Sequence, residues 1–141
     1  MPEAAARSAA LLRPSEITAR ARGGGARTIP LVTRKTGVIG FINGITIFEP
    51  SASIPLHSHN CDESVMLLEG HAIAEIDGQR FEVEPGDTTF IPANLPHRFI
   101  NRSDTEGMKI LWIYGAVDAT RTIIETGDTR TIDEEHQAAP A

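Results

Sequence analysis

The sequence predicts an all-β domain, a sandwich or barrel built from short strands. Three observations carry this expectation. From Thr28 onward, short apolar and β-branched runs recur at regular spacing, divided by Gly, Pro, Asp and Asn. Asp77-Gly78 joins two alternating runs, which is the signature of a two-residue hairpin turn. No apolar segment of helical period occurs in this region.

Taken in order, residues 1–13 are Ala-rich with Arg and carry no strong cap, which fits a frayed helix or a disordered arm. Pro14-Ser15-Glu16 can open a short helix to about Arg22, with Ser15 as its cap. Gly23-Gly24-Gly25 ends it as a flexible joint, and the folded domain starts near Ala26. Strands are expected near 28–33, 38–49, 54–59, 63–69, 72–77, 80–84, 88–91, 97–101, 107–115 and 121–125. Asn43-Gly44 can bend the second of these, and Pro85-Gly86-Asp87 and 101–107 read as turns. The chain thus divides into an extension (1–25), a β-domain (26–126) and a polar, Ala-rich, loose tail (127–141).

A length of 141 residues fits one domain with a single core. No apolar run is long enough to span a bilayer, and no secretory pattern opens the chain. Cys61 is the single cysteine, so an internal disulfide is excluded. The expected location is cytoplasmic. The net charge of -6 is uneven: residues 1–36 carry seven Arg/Lys against two Glu, and the remainder carries six against seventeen acidic residues. The basic arm has no aromatics to stack bases and precedes an acidic body, which argues against nucleic acid. It reads as a solvated extension or as a segment packed on an oppositely charged neighbour.

The chemistry concentrates in PLHSHNCDESVMLLEG, residues 55–70. In a strand, His57 and His59 point to one face. Asn60-Cys61-Asp62 are turn-formers, so the chain can reverse and bring Glu63 beside both imidazoles. Neutral imidazole is a frequent metal ligand, and a carboxylate adds negative charge. The later segment GDTTFIPANLPHRFIN supplies a third histidine, His97. Cys61 is expected in the turn, His71 on the surface, and His136 solvated in the tail. Trp112, Phe90, Phe99 and Met66 are expected in the core. Phe99 shares strand parity with His97 and is the best candidate to line a cavity, with Trp112 second.

These residues resemble the two motifs of the cupin superfamily of small jelly-roll barrels. His57, His59, Glu63 and Gly70 match the first motif in register, with Ser51 where its leading Gly belongs. Gly86, Pro92, His97 and Asn101 match the second, with Asn94 in place of its middle Gly. Asn tolerates the positive φ that such a Gly supplies. The resemblance implies a double-stranded β-helix with His57, His59, Glu63 and His97 pointing inward onto one divalent transition metal. Three nitrogens and one oxygen suit Fe, Mn, Ni, Cu or Zn. Up to two open positions on such a metal would accept a small-molecule substrate, or substrate plus dioxygen.

The function expected from the resemblance is a metal-dependent enzyme, with a dioxygenase on a small carbonyl, enol or aromatic acid as the favoured subclass. A redox-inert isomerase, decarboxylase or lyase and a non-catalytic small-molecule binding cupin are the alternatives. No second carboxylate stands out in the sequence as a general base. The resemblance also implies a homodimer paired through barrel edges, with the strand near Thr28–Thr33 adding to the partner's sheet.

Overall fold

The computed structural model describes residues 7–137, and the Ala-rich start up to residue 6 lies outside them. Among the described residues, twelve strands form two six-stranded antiparallel sheets that face each other as a jelly roll. The strands are β1 (Arg20–Gly23), β2 (Ala26–Pro30), β3 (Ile42–Phe48), β4 (His57–His59), β5 (Glu63–Glu69) and β6 (Ala72–Ile76). They continue as β7 (Gln79–Val83), β8 (Thr88–Ile91), β9 (His97–Asn101), β10 (Met108–Tyr114), β11 (Thr120–Ile123) and β12 (Thr129–Thr131). One sheet runs β1-β2-β3-β10-β5-β8 and the other β12-β11-β4-β9-β6-β7.

The period-2 pattern does what it predicts. Alternate residues of β3, β5, β9 and β10 are buried, and Phe48, Ile42, Leu67, Ile91 and Met108 fill the space between the sheets. Asp77 and Gly78 both take positive φ and make the expected tight hairpin between β6 and β7. Asn43-Gly44 does not bend the chain, because β3 pairs continuously with β10. Gly44 is needed for room instead. A Cβ there would strike the Trp112 ring and come within 2.7 Å of the Ile29 carbonyl.

Both chain ends depart from expectation. Residues 14–16 make a single 3-10 turn, and the rest of the expected helix is strand β1. The triglycine is the hairpin turn from β1 to β2, all three residues at positive φ, rather than a joint. β2 therefore pairs within its own chain, between β1 and β3. The tail expected to be loose is folded over residues 127–137, and its last four residues lie outside the described ones. After β12, Thr131 caps a one-turn helix, α1 (Ile132–Glu135), through a reciprocal capping box with Glu134. Ile132 is buried in the core. The basic arm packs on acidic groups of the same chain: Arg27 on Glu49 at 2.7 Å and Arg34 on Asp133 at 3.0 Å. Among the described residues, no helix is long and apolar enough to cross a membrane.

Candidate metal centre

Both sheets contribute to one cluster. His57 and His59 project inward from β4, His97 opens β9 directly opposite His57, and Glu63 opens β5 in the facing sheet. The turn between β4 and β5 is stapled from outside itself. The Asp62 carboxylate accepts from the Ala93 N–H at 3.1 Å, the Asp62 carbonyl accepts from Gly115 at 2.9 Å, and the His59 carbonyl accepts from Asn94 at 2.7 Å. The second-motif loop thereby fixes the first-motif turn.

The imidazole ligand atoms of His57, His59 and His97 all lie within 4.8 Å of one another. Glu63 Oε1 stands 2.9 Å from His97 Nε2 and 3.5 Å from His59 Nε2. The four residues are only 1 to 5% exposed. Each ring's Nδ1 faces a main-chain carbonyl: Pro55 at 2.7 Å for His57, Thr120 at 2.9 Å for His59 and Leu95 at 2.9 Å for His97. A carbonyl cannot donate, so the proton sits on each Nδ1 and each Nε2 presents a lone pair. Buried His59 Nε2, His97 Nε2 and Glu63 Oε1 have no hydrogen-bond partner. Lone pairs turned on one another in a dry space need a cation between them, either a proton or a metal.

Electrostatics agree with that picture. Burial is the main cause that holds His57 well below the ordinary imidazole pKa, with the charges of His97 and His59 adding to it. Burial likewise lowers His59, and Glu63 opposes it. For His97, burial is the largest influence and lowers the pKa, but the Glu63 carboxylate 2.9 Å away and the Leu95 carbonyl together carry the net shift upward. The proton that holds the cluster together without a metal therefore belongs to the His97–Glu63 pair. A metal would displace it.

The two departures from the motifs are conformational matches. Ser51 has φ 63° and Asn94 φ 69°, so both occupy the left-handed region that a Gly would supply. Asn101, at the end of the second motif, donates to the Glu49 and Glu106 carbonyls at 3.0 and 2.8 Å and ties two loops together.

The family model for the cupin domain matches residues 44–114, half of the chain. The chain belongs to the cupin family. The cupin's curated relatives include the polyketide synthase CurC of Streptomyces cyaneus, 32% identical over 92 residues, which are 64% of this chain and 59% of that protein. The next two relatives are covered over 38% and 40% of their lengths, so the cupin spans about half of the curated relatives it matches. Among solved structures it resembles the polyketide cyclase RemF of Streptomyces resistomycificus, with TM-score 0.71, 21% identity, and 89% and 86% of the two chains covered. It also resembles an oxalate oxidase solved with the substrate analogue glycolate, with TM-score 0.63, 20% identity, and 73% and 57% coverage. At these identities the structures establish the fold alone. With the fold, the three-histidine cluster of this cupin is a candidate metal site.

Trp112 and Phe99 are both buried. Trp112 stacks on Tyr114 with centroids 4.8 Å apart, and Tyr114 packs on the His59 ring at 4.4 Å. Phe99 follows His97 on the same face of β9 and pairs with Ala74. Phe90, expected in the core, is 67% exposed on β8, and Met66 is half-buried on the outer face of β5. Their strands each bury the other parity. His71 is on the surface beside Glu84 at 3.2 Å. Cys61 sits in the turn, where burial pushes its thiol pKa up.

The sequence did not reveal the second wall. Tyr114 lies opposite Glu63 in the β10–β5 register and faces the same interior, and its complete burial, with the Glu63 charge adding, keeps its hydroxyl protonated. His136 is not solvated, because its ring stacks near-parallel to Trp112 at 6.1 Å and burial holds its pKa down to about 4. Glu135 is buried between Arg22 at 2.8 Å and Arg121. Arg22 donates to Thr28 Oγ1 at 3.0 Å, Thr28 and Thr46 share a hydrogen bond of 3.0 Å, and Trp112 Nε1 donates to Thr46 Oγ1 at 2.9 Å. The capping box at Thr131–Glu134 was the one signal that could have shown an ordered tail.

Proposed function

We propose that this cupin is a divalent-metal-dependent enzyme acting on a small carbonyl or enol compound, with His57, His59, Glu63 and His97 as the metal ligands. The supporting observation is the set of buried Nε2 lone pairs and one carboxylate oxygen turned on one point without partners. A divalent ion held there supplies Lewis-acid polarisation of a bound oxygen. The rest falls to the chain. The Nδ1–H bonds to Pro55, Thr120 and Leu95 hold the rings in ligating orientation. Trp112 and Phe99 are the apolar wall that keeps water out.

The favoured reaction class is redox-neutral proton transfer next to a carbonyl. The groups beyond the donors support it. Tyr114 keeps its hydroxyl proton beside the donors, where it can hydrogen-bond a developing enolate oxygen, and His136 stays neutral behind Trp112. A curated relative and a structural neighbour whose names both concern polyketides fit this class. The dioxygenase expected from the sequence is the second reading. The same ligand set suits iron and copper, and an oxalate oxidase shares the fold. A homodimer belongs to the same proposal. Phe81 and Phe90 are exposed on β7 and β8, the outermost strands of the two sheets, where a second copy would cover them.

The test is metal analysis of protein purified without chelators, followed by turnover of β-diketones and phenolic acids with oxygen uptake recorded. One metal per chain and turnover without oxygen uptake are expected. Substrate-dependent oxygen uptake with iron or copper would transfer the assignment to the dioxygenase. Protein that binds no metal would overturn both.

A further inference from the structure

We propose that Arg22 and Arg121 form a carboxylate-binding subsite at the mouth of the barrel, which Glu135 fills in the closed form and a carboxylate of the substrate takes over. The inference rests on reading the barrel interior as a substrate site, but not on the metal.

The cluster is assembled where the two sheets part. Arg22 comes from β1, the edge of one sheet. Arg121 comes from β11, next to the edge of the other, and Glu135 from α1. The side chains of Arg22, Arg121 and Glu135 are 9%, 14% and 6% exposed. In register, Arg121 lies opposite His59 and Ile123 opposite His57, so Arg121 faces the side of the sheet that carries the metal donors. Glu135 acts electrostatically on His59 and Tyr114, and Arg22 acts on His57. A cleft of about 400 Å³ leads to the cluster from outside, lined by Arg22, Arg121, Arg130 and Glu135, with Asp128 and Glu134 as its other acidic groups.

Stability does not account for it. Desolvating two guanidiniums and a carboxylate costs more than an apolar plug of the same size. The charges are also unbalanced. Arg130 sits directly opposite Arg121 in the β11–β12 pair, a like-charge placement that is unfavourable unless an anion lies between. Within the cluster Glu135 is the single carboxylate against the two buried guanidiniums of Arg22 and Arg121, and neither of its oxygens makes a hydrogen bond of good geometry. Guanidinium forks suit carboxylates. A ligand carboxylate that reaches both arginines through the cleft displaces Glu135 and lies on the metal side of the mouth.

The test is calorimetric titration of the full-length protein, carrying its metal, with benzoate and with benzamide, and metal content measured on every sample. Benzoate is expected to bind at least tenfold tighter than benzamide. Glu135→Gln, which removes the resident anion, is expected to tighten benzoate at least fivefold. Arg121→Gln is expected to weaken it at least tenfold with metal content unchanged, and Arg121→Lys, which keeps the charge but not the fork, several-fold. Equal binding of benzoate and benzamide, or no tightening in Glu135→Gln, overturns the proposal even if the arginine variants fail to fold. Benzoate affinity that survives Arg121→Gln but vanishes in His97→Ala also overturns it, because the carboxylate then sits on the metal. Protein that purifies metal-free yet still prefers benzoate through Arg121 would refute the metal enzyme and leave this subsite standing.

Discussion

Two buried polar clusters sit at the same end of this barrel, and they are built in opposite ways. His57, His59, Glu63 and His97 are like-polarity groups, lone pair against lone pair, that need something from outside to be stable. Arg22, Arg121 and Glu135 are opposite charges that attract one another within the chain, with one positive charge in excess. The first cluster is rigid, with each ring bonded behind to main chain. The second depends on long side chains and a four-residue helix. The proposed ion site is preorganised on strands, and the proposed carboxylate subsite is closed with side chains from β1, β11 and a one-turn helix.

The contrast is broken most severely at the donors. His57→Ala or His97→Ala is expected to lower metal affinity by at least about 100-fold, judged against the cost of losing even supporting contacts. The far-ultraviolet circular dichroism should stay native, since the apolar strands make the core. Arg22→Met should do the reverse. Metal content stays, while about 3 kcal/mol of stability is lost in urea unfolding, because Glu135 loses a buried partner. If both variants lost metal equally, the two clusters would be one unit.

Protonation sharpens the same comparison. His97 is raised, so in metal-free protein its ion pair with Glu63 stabilises the fold below the unfolded pKa of 6.5 and is lost as pH rises through the folded value. Metal titrations should therefore show affinity falling toward acid, by about tenfold per pH unit once His97 is protonated. His136 has the opposite sign. Its pKa falls from 6.5 to about 4, so its contribution is complete above pH 6.5 and drains away as pH drops toward 4. Thermal melts of His136→Phe should lack that acid-side loss. The smallest effect is expected at Ser51. Ser51→Gly relieves a left-handed φ and should gain about 0.5–1 kcal/mol with metal affinity untouched.

Legibility follows the same line. His57, His59 and Glu63 were legible as a group because strand parity and one turn are local rules, whereas His97 was placed with them only by its match to the second cupin motif. Ten of the strands were visible for the same reason, through alternation and turn residues. β1 and β12 were not, because Arg20–Gly23 and Thr129–Thr131 carry no apolar alternation. They are strands only because an edge stands ready to pair them. Tyr114 was hidden by its strand, apolar on both faces, and its place beside Glu63 depends on a register that no short window contains. Arg22 and Glu135 stand at opposite ends of the chain, and only the closed structure brings their charges together.

The closing contact between β1 and α1 joins the start of the chain to its end. On a ribosome, the segment carrying His97 emerges well before Glu135, and domains fold as they appear. In a nascent chain the His57, His59, Glu63 and His97 cluster can therefore assemble before Glu135 arrives to pair with Arg22 and Arg121.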